Sequence, residues 1–65
     1  MAKFVVRVTN GNTVDFLKKG GHGLDENVAY VFKSEDECEA ACDYAEEKGV
    51  YFPDEGQEAE FIEVG

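Results

Sequence analysis

The chain has 65 residues, 43% of them hydrophobic and eight of them Phe or Tyr, and it carries a formal charge of -9 at pH 7. A domain of this size buries only about 60% of the surface its unfolded chain exposes. That leaves no room for an enclosed active site, while the apolar and aromatic content is too high for a disordered segment.

One domain spanning residues 1–65 is expected, as a monomer or small homo-oligomer. No apolar run approaches the roughly 18 residues of a membrane span, and Met1 to Val8 lacks the pattern of a secretory leader. Phe4 to Thr9 alternates Phe4, Val6 and Val8 with Val5, Arg7 and Thr9, the period of a half-buried strand. Asn10-Gly11 then predicts a type I′ hairpin turn, which needs positive φ at both central residues, and residues 12–17 return as a second strand. The polar segment 18–27 contains three glycines and reads as a mobile loop. Val28 to Phe32 gives a third strand with Val28, Tyr30 and Phe32 on one side.

Ser34 and Glu37 form a capping box, and Glu35, Asp36 and Glu37 lie where the helix dipole favours negative charge. The helix so opened runs to about Lys48, with Gly49 as its C-terminal cap. Cys38, Ala41, Cys42 and Ala45 recur at helical spacing as a stripe of small side chains suited to close packing on a sheet. Val50 to Phe52 offers a short extra strand, and Pro53 and Gly56 mark a turn. In the final strand, Gln57 to Val64, Ala59 and Phe61 share one face while Ile62 and Val64 take the other, which predicts a bulge or burial on both faces. The order β-β-β-α-β describes an α+β fold: an antiparallel sheet of about four strands with one acidic helix packed on it.

The residues for enzymatic chemistry are missing. Ser34 is the one serine and serves as a cap, and His22 is the one histidine, in a loop without a rigid frame. Carboxylates on an open helix stay ionised, whereas a catalytic pair needs environments that push its pKa values apart. Gly20 to Gly23 leads into a predicted strand rather than a helix N-terminus, so it does not match a phosphate cradle. No enzyme activity and no cofactor are expected. Cys38 and Cys42 are spaced as helical metal ligands, and His22 with a carboxylate could complete a tetrahedral zinc site. The competing reading places both thiols in the buried stripe as small hydrophobes, reduced and without a metal.

Charge is distributed unevenly. Residues 1–33 carry five basic against three acidic side chains, a net +2, whereas residues 34–65 carry one lysine against twelve carboxylates, a net -11. This asymmetry argues against direct nucleic-acid binding by the second half, because phosphate contacts need Lys and Arg. A basic protein partner is favoured. Glu35, Asp36, Glu39, Asp43, Glu46 and Glu47 recur three or four apart on the exposed side of the helix, a row that resembles backbone phosphates in sign and spacing. Such a face can compete with nucleic acid for a cationic groove, although the same acidity also serves plain solubility. A different class of function is a scaffold module that pairs through a sheet edge.

The layout of a hairpin, "KFVVRVTNGNTVDFLKKG", followed by a strand and acidic helix, "AYVFKSEDECEAACDYAEEKG", resembles the very small proteins encoded by bacteriophages and prophages. Some of these are anti-CRISPR inhibitors that occupy the DNA- or PAM-binding groove of a type II effector nuclease. The resemblance implies a protein of the bacterial cytoplasm whose six helix carboxylates face basic residues of a CRISPR effector nuclease.

Overall fold

Val6 and Val8 set the face on which this molecule builds its core. In the computed structural model, which describes residues 2–65, they are fully buried on one side of a central strand, β1 (Phe4–Asn10). β1 pairs antiparallel with β2 (Thr13–Leu17), Arg7 opposite Phe16 and Asn10 opposite Thr13. The connecting loop is Gly11-Asn12. Gly11 alone is at positive φ (+62°), the pattern of a type II′ turn, so the expected type I′ turn centred on Asn10-Gly11 is displaced by one residue. The Thr13 hydroxyl closes this loop by donating to the Asn10 carbonyl at 2.8 Å.

The last strand, β4 (Gln57–Glu63), lies on the other side of β1 in unbroken antiparallel register from Phe4 opposite Glu63 to Asn10 opposite Gln57. There is accordingly no bulge. The change in alternation reflects contact on both faces: Ala59 packs towards the core while half-buried Ile62 sits opposite Val5 on the far face.

The third strand is not where the sequence pattern puts it. β3 is the two-residue Leu24–Asp25, paired with Phe16 and Leu17, and the sheet order is β3-β2-β1-β4. Val28 to Phe32 makes a single bridge, with Phe4 and Phe32 exchanging backbone hydrogen bonds of 2.9 and 2.7 Å. Tyr30 and Phe32 pack edge to face, their ring centroids 4.9 Å apart, and Phe32 enters the core, whereas Val28 is exposed. The alternation there reports two side chains dropping over the end of β2, not a ladder.

The 18–27 segment is also folded rather than loose. Lys19–Gly21 forms a 3-10 turn closed by Gly21 N–H to the Lys18 carbonyl (3.0 Å), and Lys18 N–H donates to the Gly23 carbonyl at 2.9 Å. Gly21 is buried against the helix, at a φ of +80°.

That helix, α1 (Glu35–Glu47), starts at Ser34, whose hydroxyl accepts from Glu37 N–H at 3.2 Å. It ends in a complete Schellman motif: Gly49 at φ +77° donates to the Glu46 carbonyl (3.2 Å), and Val50 donates to the Ala45 carbonyl (2.9 Å). Cys38, Ala41 and Ala45 are buried against Val6, Val8, Leu17 and Phe32, with Cys42 at the margin. Their small side chains let the helix lie close over the sheet. After it, residues 50–52 form no strand, and a 3-10 turn at Pro53–Glu55 leads through Gly56 (φ +96°) into β4.

Candidate functional site

All six carboxylates of the expected face, Glu35, Asp36, Glu39, Asp43, Glu46 and Glu47, are exposed along α1, outside its buried stripe. Among the described residues the one ion pair is Arg7 with Glu60, so the helix row carries its charge unneutralised. Lys48, the nearest cation in sequence, turns to Tyr44, its ammonium 5.5 Å from the ring centroid. The rigid spacing of the row comes from the two helix caps and from the buried stripe beneath it.

Two carboxylates of the last strand do not prolong this face. Glu58 and Glu60 stand opposite Thr9 and Arg7, on the side of the sheet that α1 does not cover. Glu60 is bound there by Arg7. The outer edge of β4, which would serve strand pairing, is partly occupied: Gln57 N–H donates to the Phe52 carbonyl (3.4 Å), and its side-chain oxygen accepts from Phe52 N–H (2.6 Å). Three glutamates within the strand further discourage an added strand.

The thiols and the imidazole of the zinc reading are not gathered. Cys38 lies in the core, Cys42 at its edge, and His22 packs edge-on against Tyr44 with centroids 5.0 Å apart. Among the described residues no group of three or more His, Cys, Asp and Glu side chains is arranged to hold an ion. Burial first, and then the charges of Glu35 and Glu37, raise the Cys38 thiol. Burial first, then Cys38, Asp43 and Glu39, push Cys42 from 9.0 up to about 11. Both cysteines are free.

A thiol raised in this way keeps its proton in the native state while the unfolded chain releases it. Its contribution to stability is therefore intact below about pH 9 and lost as pH rises towards 11. At pH 8 the native Cys42 thiol should react with an aromatic disulfide far more slowly than in urea, since a rise from 9.0 to about 11 cuts its thiolate fraction about a hundredfold. Labelling at the unfolded rate would contradict the buried placement.

One feature of the site is invisible to charge patterning. A groove of about 390 Å³ runs beside the acidic row, between α1, the Lys19–Gly21 turn and the Tyr30–Phe32 segment. Tyr30, Phe32 and Tyr44 wall it, with Glu37 and Lys19 at its polar positions and Ala40 on the helix side. The signal in the sequence was the pair Ala40 and Tyr44, the two uncharged residues of the helix outside its buried stripe.

No family model, curated protein or solved structure matches this chain. No helix among the described residues is long and apolar enough to cross a membrane.

Proposed function

We propose that this protein is a non-enzymatic inhibitor that acts in the bacterial cytoplasm on a basic, nucleic-acid-binding effector, with a phage-encoded anti-CRISPR against a type II nuclease as the concrete form. The observation that carries this reading is the unneutralised row of six exposed carboxylates on a helix fixed at both ends and seated on a sheet. Type II effectors hold nucleic acid in a positively charged channel, and a row of fixed anions competes for such a channel by the same long-range attraction. Affinity gained this way depends on exposed charges, so it weakens as salt rises.

The test is target cleavage by a purified type II effector, titrated with this protein at low salt. Dose-dependent inhibition that fades between 50 and 300 mM salt, roughly the range over which the Debye length halves, is the expected result. Full cleavage at a large molar excess in low salt would remove the type II form of the proposal. Inhibition indifferent to salt would instead favour pairing through the β4 edge.

A further inference from the structure

The aromatic groove beside the helix row has the composition of a socket for one flat cation. Tyr30 and Tyr44, both half-buried, present ring surface, buried Phe32 completes the apolar lining, and Glu37 supplies a carboxylate in the same wall. A guanidinium satisfies both features together, because it stacks on aromatic faces and donates a forked pair of hydrogen bonds to one carboxylate group. Within the groove the charges of Glu37 and Lys19 offset each other, and the surroundings decide the sign. Asp36 and Asp43, four and three residues from Ala40, and Glu47, three residues from Tyr44, make the adjoining helix surface negative. The site already attracts a cation of its own, the Lys48 ammonium over Tyr44.

We propose that the groove is the anchor for an arginine side chain of the basic partner, and that Lys48 is an internal placeholder which the incoming guanidinium displaces. This rests on the inhibitor reading for its partner but concerns a different surface element from the carboxylate row. The row attracts a cationic surface without fixing its register. The socket fixes register, because one side chain has to enter one place, and aromatic pockets that receive arginine are where binding energy concentrates.

The probes are three acetylated nonapeptides of alanine carrying three arginines, three lysines or three leucines, titrated into the intact protein and followed by amide and side-chain NMR shifts. The arginine peptide is expected to shift Tyr30, Tyr44 and Gly20 and to bind more tightly than the lysine peptide. Tyr44→Ala should weaken arginine-peptide binding by about threefold to thirtyfold, the range that cation-ring contacts imply. Glu37→Gln, which leaves the packing in place, should weaken it as well, and Lys48→Gln should leave it unchanged or tighter. Equal binding of the arginine and lysine peptides, with shifts confined to the carboxylate row, would overturn the socket while leaving the inhibitor reading intact. A leucine peptide that perturbs the groove as strongly would overturn it in favour of an apolar ligand. Arginine-specific binding without nuclease inhibition would uphold the socket and sink the nuclease.

Discussion

Gly21→Ala is expected to remove about 2–5 kcal/mol, a large share of the stability of this fold. A methyl group placed on Gly21 would lie 2.1 Å from the carbonyl oxygen of Ala41 and 3.1 Å from the backbone nitrogen of Ala45, so what it meets is helix backbone and cannot rotate away. The φ of +80° adds about 1–2 kcal/mol for any residue with a Cβ. Overpacking of this kind adds about 1–3 kcal/mol more. Domains hold about 0.05–0.15 kcal/mol per residue, so a chain of 65 has only about 3–10 kcal/mol to lose. Gly11→Ala is the control: its φ is +62° but nothing lies within 4 Å of the added methyl. It should show the dihedral cost alone. Urea midpoints for the two variants would decide the matter, and equal midpoints would mean that the glycine segment is not docked on the helix.

Reversing the sign of the helix row should abolish partner binding without harming the fold. Glu39, Asp43 and Glu47 are exposed, lie four residues apart on α1, and face away from the Cys38, Ala41 and Ala45 stripe. Replacing all three by lysine changes the formal charge from -9 to -3. Like charges brought into a cationic interface cost several kcal/mol, so the loss of affinity should exceed about a hundredfold. Lysine is as good a helix former as glutamate, and the repulsion between residues four apart is relieved only in the neighbours that stay acidic, so the melting temperature should move by a few degrees at most. The triple change Asp54→Lys, Glu55→Lys and Glu58→Lys alters net charge equally, away from the helix. If that control were just as damaging, overall charge and not the helix face would be the cause. If neither triple affected inhibition, the proposed electrostatic competition would be wrong.

What could be foreseen here followed local chemistry. Ser34 with Glu37 marks the start of α1 and Gly49 its end because capping depends on residues adjacent in sequence, and the small stripe beneath the helix follows from helical spacing alone. The hairpin was visible for the same reason, to within one residue of its turn. The third strand was not, since Val28, Tyr30 and Phe32 alternate as a strand does while Leu24 and Asp25 take the pairing beside β2. Apolar alternation records which side chains are buried and does not say whether a backbone ladder accompanies them. Three glycines between Lys18 and Leu24 looked like freedom, yet Gly21 is there because nothing larger fits against Ala41. The aromatic groove was hidden because Lys19, Tyr30 and Tyr44 meet only after that segment folds onto the helix.

The pairing of β1 with β4 joins positions 47 to 59 apart in the chain. Closing so large a loop is entropically expensive, which makes this sheet slow to complete for a protein of its size. Until it closes, Phe4 to Val8, a short run of valines and phenylalanine around one arginine, has an open flank that other copies could template upon. The strand that finally seals it brings Glu58, Glu60 and Glu63. A net charge of -9 repels other copies of the chain for as long as that flank stays open.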